Sequence, residues 1–181
     1  MYNRLWKEGY KMIDAIVYNS KSGHTLVYAK ELSAQLNIPM LTLKEARKHL
    51  KKESHIIYMS WIKENKIVKY DRVLKYTLEC VVAVGILPAT EERMSALIYE
   101  NQLTAKLFYL PGGISKRRLG ILDRIRLKSI ESELSFKLLD NGLKREDALA
   151  LDAILHDLDF HEEKSLEPIL QKFLVKEDFI S

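Results

Sequence analysis

The stretch Ile16-Val17-Tyr18-Asn19-Ser20-Lys21-Ser22-Gly23-His24-Thr25 decides the fold of this chain. Ala15 to Tyr18 are apolar or aromatic and predict a short buried strand. A polar loop follows, and then Leu26, Ala29, Leu32 and Leu36 recur at near-helical spacing. Strand, tight loop and helix start together make an anion site. The first amides of a helix lack internal partners, and the positive end of its dipole faces the loop. Ser20, Ser22 and Thr25 add small hydroxyl donors, and Gly23 lets backbone approach a ligand closely. A phosphate monoester needs a counter-charge as well, and Lys21 and His24 are the residues that supply part of it. An ordinary strand-to-helix turn is the competing reading. A Walker loop is excluded because no Gly-Lys-Ser/Thr closes the stretch. A dinucleotide fingerprint is excluded because one glycine stands where three are needed.

Working outward, 181 residues with 47% hydrophobic and 30% charged content suit one domain with a real core. Seven glycines and four prolines argue against a linker-rich chain. No apolar run spans a bilayer and no secretory pattern is present. The single cysteine, Cys80, cannot form an internal disulfide, which fits a reducing, cytoplasmic location. The five histidines show no HxxxH or HxH spacing, so no metal is expected, and Gly-x-Ser-x-Gly is missing. Formal net charge is +4. Residues 1–11 carry Trp6 and Tyr10 without a clean period, and Met12 directly precedes the first strand. They read as a non-native N-terminal extension, with translation starting at Met12 and one domain over 12–181. An N-terminal arm that packs its aromatics on the domain is the alternative.

Further along, Met40 to Leu43 predict a second strand, Lys44 to Lys52 a basic surface helix, and Ile56 to Ser60 a third strand buried on both faces. Val68 to Leu78 predict a helix, Val81 to Leu87 a fourth strand, Glu91 to Asn101 a helix and Lys106 to Leu110 a fifth strand. This alternation predicts a doubly wound α/β fold with a five-stranded parallel sheet. Ligands of such sheets bind outside the carboxyl ends of the strands. Besides the first loop, Trp61-Ile62-Lys63-Glu64-Asn65 and Pro88-Ala89-Thr90 should leave those ends, followed by Pro111-Gly112-Gly113 after the fifth strand. The glycine pair serves either a turn into the next helix or a close ligand approach. Helices over Leu119 to Leu139, over Lys144 to Leu155 and up to about Phe173 complete the chain, so a helical insert occupies about 111–160.

Ser20-Lys21-Ser22-Gly23-His24-Thr25 resembles the phosphate loop of the flavodoxins, in which Ser/Thr, Gly and Thr wrap the phosphate of FMN. The Gly-containing loop at 111–114, and Asp159-Phe160 followed by Leu166-Glu167-Pro168-Ile169, are similar to the part of the flavodoxin-domain family that includes the menaquinone-dependent protoporphyrinogen oxidases. The resemblance covers Met12 to about Phe173. It implies a flavodoxin-like fold, non-covalent FMN, phosphate contacts from Ser20 to Thr25, and a ring bordered by Trp61-Ile62 and Pro88-Ala89-Thr90. Gly112 and Gly113 would lie at the same edge. Trp61 would stack on the flavin, or else cover neighbouring side chains or a partner. Met59, Ser60 and Asn65 depart from the glycines common around the second loop, although Asn65 tolerates the left-handed conformation a glycine would adopt.

The functional expectation is an FMN-dependent oxidoreductase or electron carrier whose catalytic residues are unassigned. Protoporphyrinogen oxidation with a quinone acceptor is one alternative, and a non-catalytic binding module is another. Lys116, Arg117, Arg118, Arg124, Arg126 and Lys128 make the insert basic, where electron-carrying flavodoxins are as a rule acidic. Such a face fits either a solvated helix or a docking surface for a redox partner that is acidic or sits at an anionic membrane surface. A homodimer is compatible with the sequence. The basic residues are spread over two helices with no recognition motif, so no nucleic-acid partner is expected.

Overall fold

The computed structural model describes residues 13–113, 117, 120–141, 145–156 and 159–174. The readings placed on residues 1–12, and on Lys116 and Arg118, lie outside the described residues.

Five strands form the parallel sheet: β1 (Ala15–Asn19), β2 (Met40–Thr42), β3 (His55–Lys63), β5 (Thr77–Gly85) and β6 (Leu107–Pro111). A two-residue strand, β4 (Lys66–Ile67), pairs antiparallel with the end of β3. The spatial order is β2-β1-β3-β5-β6. Numbering only the parallel strands in chain order gives 2-1-3-4-5, the flavodoxin-like order. The middle strands are apolar and buried on both faces: Ile56, Ile57, Tyr58 and Met59 of β3, and Cys80 to Val84 of β5, are almost wholly covered.

Each face of the sheet has its own core. Helix α1 (His24–Leu36) and α6 (Glu167–Leu174) cover one face. There Tyr28, Ala29, Leu32, Leu166 and Ile169 meet Ile16, Ile57, Met59, Val82 and Leu110. Helix α2 (Leu43–His49) and α3 (Glu91–Asn101) cover the other face with Ala46 and Leu97. Each fully buried Leu or Ile contributes roughly 1.5–3 kcal/mol, so these two layers carry most of the stability. The insert after β6 forms a satellite core of its own. Helix α4 (Ile121–Asn141) packs on α5 (Arg145–His156) through Leu127, Leu134, Leu151, Ala153 and Ile154, and this cluster also gathers Ile86 and Phe160. No helix among the described residues is long and apolar enough to cross a membrane.

The connection between β3 and β5 corrects two sequence expectations. Val68 to Leu78 do not form an α-helix, and Trp61-Ile62 do not belong to a loop. Strand β3 runs on to Lys63 and turns back through Glu64 and Asn65, at φ 48° and 57°. Left-handed backbone at both central residues is what a two-residue type I′ hairpin requires, because its twist matches that of the flanking strands. Asn65 is suited to this conformation and Glu64 is not, which left the turn unmarked in the sequence. A single 3₁₀ turn at Tyr70–Arg72 follows. Its bonds link residues three apart: Arg72 N–H to Lys69 O, Val73 N–H to Tyr70 O and Tyr76 N–H to Val73 O. Tyr70, Val73 and Tyr76 are buried, whereas Leu74 is 60% exposed. The three-residue spacing of those apolar side chains imitates a helical face but fits the tighter period. The fourth parallel strand accordingly starts at Thr77 rather than Val81, with Thr77 beside His55.

Candidate functional site

The carboxyl ends of β1 and β3 lie side by side, with Asn19 beside Ser60. The amide of Asn19 donates to Ser60 Oγ at 3.1 Å, and its carbonyl accepts from Lys69 Nζ at 3.1 Å. Fully buried Ser60 donates in turn to the carbonyl of Val68 at 2.9 Å. These bonds fix the rim from which residues 20–23 leave. The chain moves away on opposite faces to either side of this pair of strands, α1 covering one face and the β4 hairpin the other. That makes it the switch point where doubly wound sheets take their ligands.

Gly23 precedes α1 at φ 98°, a left-handed conformation that a side chain would strain. It brings no side-chain cap to the helix. The contrast with two other helices is informative. Thr42 accepts from Glu45 N–H at 3.3 Å ahead of α2, and Glu45 returns a bond from the Thr42 amide at 2.8 Å. Thr90 accepts from Arg93 N–H at 3.2 Å ahead of α3. The first turn of α1 receives no such cap from Gly23, and its dipole end faces the loop that carries Ser20 and Ser22.

Two buried polar atoms in this loop have no hydrogen-bond partner: Ser20 Oγ and His24 Nε2. Buried polar atoms cost free energy when unpaired, and a cluster of them at one uncapped helix start matches the donor set of a bound oxyanion. His24 is 7% exposed. Its other ring nitrogen, Nδ1, lies 3.1 Å from Asp159 Oδ1. Lys21 is exposed, and its ammonium sits 5.1 Å from the centre of the Trp61 ring. This cation–π contact places Trp61 beside the loop. Ile62 packs against the core on the α2 and α3 face of the sheet, with Tyr109.

The third predicted loop is held by its own bonds. Arg93 donates to Pro88 O at 2.6 Å, and the Tyr109 hydroxyl donates to Leu87 O. Pro88 and Ala89 remain exposed, and Thr90 serves α3 as its cap. Gly112 has both backbone groups engaged: its N–H donates to Gly85 O at 2.6 Å and its carbonyl accepts from Phe160 N–H at 3.1 Å. A Cβ on Gly112 would stand 2.9 Å from Val84 Cγ1. Gly113 pairs with Asp159 in an isolated antiparallel bridge. The glycine pair thus lets the chain after β6 pack closely against β5 and the C-terminal segment.

That C-terminal segment is the part of the site the sequence reading missed. His24, Tyr28 and Glu31 stand on one face of α1, and residues 159–162 run across it. Tyr28 donates its hydroxyl to Pro111 O at 2.8 Å and accepts from Glu162 N–H at 2.9 Å. Burial pushes the Tyr28 hydroxyl above the ordinary tyrosine range, so it stays a protonated donor. His161 lies 2.9 Å from Glu31, and its ring packs tilted by 38° against Tyr28 with ring centres 4.4 Å apart. The polar spacing His24-Tyr28-Glu31, at i, i+4 and i+7, was the available signal, since it is a helix stripe that needs a partner. Cys80 takes no part in this site: burial pushes its thiol up to about 12.

The strand order is thus that of a flavodoxin-like doubly wound fold, with the loop from Ser20 to Gly23 at the switch point. No protein-family model matches the chain, and no curated protein matches it. Among solved structures it is similar to that of a flavodoxin from the domain Archaea. The identity is 16%, the match covers 78% of this chain and 95% of that chain, and the TM-score is 0.31.

Proposed function

We propose that the chain binds FMN non-covalently at the carboxyl ends of β1 and β3 and serves as an FMN-dependent oxidoreductase or electron carrier. The observation that carries this reading is the pair of unpartnered buried atoms, Ser20 Oγ and His24 Nε2, at the uncapped start of α1. The residues present suit a phosphate monoester. Ser20, Ser22 and Thr25 offer hydroxyls, the first turn of α1 offers amides, and Lys21 and His24 offer positive charge. Trp61 borders the ring, and the exposed Pro88-Ala89 edge is its other neighbour. When bound, FMN supplies the redox chemistry; the protein binds, orients and tunes it. Tyr28, held neutral by burial, locks the segment from Asp159 to Glu162 onto α1 and so keeps the loop in shape.

The test is the visible spectrum of the purified protein before and after addition of FMN, followed by titration with FMN and riboflavin. A blue-absorbing complex is expected. FMN should bind at least tenfold more tightly than riboflavin, because charge-assisted hydrogen bonds contribute about 1.5–3 kcal/mol each. A colourless protein that takes up no FMN would leave a non-catalytic binding module as the better reading.

Oxidation of an anionic porphyrin with a quinone acceptor is a second reading, and one observation favours it. Arg117, Arg124 and Lys128, with Leu127 and Glu131, line a cleft of about 350 Å³ on the insert. Cationic side chains around an apolar floor suit a flat molecule with carboxylate arms. Reduction of the bound flavin by protoporphyrinogen under anaerobic conditions would favour it over a general electron carrier.

A further inference from the structure

From the contact between α1 and the C-terminal segment we infer that His24 becomes the cation of the phosphate site when a ligand binds and that Asp159 is the positioning residue that orients its ring, so that ligand binding takes up a proton. The inference deepens the flavin reading and rests on it for the identity of the ligand, but not for the chemistry.

The geometry leaves few options for the ring. Nδ1 is 3.1 Å from Asp159 Oδ1, an ion-pair distance at which the carboxylate favours a hydrogen on that nitrogen. In a neutral imidazole Nε2 then bears a lone pair. Nε2 is buried without a partner, on the first residue of α1. A lone pair turned toward a phosphate oxygen repels it; an Nε2–H donates to it. Binding of a phosphate dianion therefore selects the imidazolium. The two hydrogens of that cation are divided between Asp159 on one side and the ligand on the other. The carboxylate is itself held in place, since Asp159 Oδ1 accepts from the His161 amide at 3.0 Å and Asp159 bridges Gly113.

The charged and titratable groups on the surrounding elements can be named. Lys21 lies on the loop itself, against Trp61. Tyr28 and Glu31 lie on α1; burial keeps Tyr28 protonated, and Glu31 is paired with His161. Asp159, His161 and Glu162 lie on the C-terminal segment, with His161 the other imidazole of the cluster.

The experiment is FMN affinity by fluorescence quenching across about pH 7 to about pH 9. The second ionisation of a phosphate monoester, near pH 6, is complete over that range. Uptake of one proton makes affinity fall by up to about tenfold per pH unit wherever the free ring is neutral. Riboflavin, which lacks the phosphate, should show no such slope. His24→Gln keeps a neutral donor and should flatten the profile while lowering affinity near pH 7 about tenfold or more. Asp159→Asn should move the fall to lower pH without abolishing binding. His161→Gln should leave the slope in place. The wild-type profile stands by itself if a variant fails to fold. In parallel, the His24 ring resonances are followed by NMR while inorganic phosphate is added; a downfield, imidazolium-like shift is expected.

FMN bound with pH-independent affinity, or bound equally well by His24→Gln, overturns the inference and leaves the flavin reading intact. A slope lost in His161→Gln assigns the proton to His161 and overturns it too. Phosphate that shifts His24 in a protein unable to bind FMN supports the inference and removes the flavin reading. A protein that binds neither FMN nor phosphate overturns both.

Discussion

Ser20→Ala should change stability and binding in opposite directions. In the free protein Ser20 Oγ is buried with no partner. A hydroxyl removed from water without a replacement bond costs about 1–3 kcal/mol. Deleting that oxygen leaves a methyl group in almost the same space, so the ligand-free protein should gain stability, by about 0.5–1.5 kcal/mol after allowance for the small void. In the proposed FMN complex the same hydroxyl would donate to a charged phosphate oxygen, and its loss should cost about 1.5–3 kcal/mol of binding, or roughly tenfold to a hundredfold in Kd. Urea unfolding of the ligand-free protein gives the first quantity, and fluorescence titration with FMN the second. An ordinary structural serine behaves otherwise, its alanine variant being less stable while ligand affinity is unchanged. That result would refute the argument that the orphaned hydroxyl is reserved for a ligand.

Three further expectations concern other parts of the molecule. Trp61→Ala should weaken FMN binding by about 1–2 kcal/mol through lost stacking and burial, and the indole fluorescence of the wild type should be quenched by FMN; unchanged affinity places the ring elsewhere. Gly112→Ala should destabilise the fold by about 1–3 kcal/mol, because a Cβ there stands 2.9 Å from Val84 Cγ1 and 3.3 Å from Gly85 O; a thermal midpoint equal to wild type would show that β5 yields to it. Reversing Arg117 and Arg124 to Glu should slow electron exchange with an acidic partner mainly through the on-rate, and the defect should shrink as salt rises while FMN affinity holds. Wild-type rates at low salt would mean that the insert carries only a solvated basic face.

The sequence was most legible where its information is local. Continuous apolar runs such as Ile56 to Met59 marked the parallel strands, and the Ser/Gly/Thr loop after β1 marked the switch point. Glu64 hid the hairpin, because a non-glycine residue at φ 48° leaves no turn signature. The 3₁₀ turn hid behind Tyr70, Val73 and Tyr76, whose spacing serves two helical periods almost equally well. In the site, the loop from Ser20 to Thr25 was readable and its supports were not. Tyr28 meets Glu162 across 134 residues and Glu31 meets His161 across 130, and no local pattern records such contacts. The role of Gly112 was hidden for the same reason, since the need for glycine lies in the Val84 side chain opposite it rather than in its own turn.

The clasp between α1 and the segment from Asp159 to Glu162 also sets an order of events during synthesis. Helix α1 leaves the ribosome early, but Leu166 and Ile169, which cover its face of the sheet, belong to the last described turns of the chain. Glu162 follows Tyr28 by 134 residues, an interval of about 7–27 s at translation rates of about 5–20 residues per second. Throughout that interval the part of this face that Leu166 and Ile169 cover stands bare, and the first turn of α1 lacks the Asp159 carboxylate and the backbone that crosses it. The loop from Ser20 to Gly23 is therefore backed on its α1 side only once the segment from Asp159 to Glu162 has been made and docks.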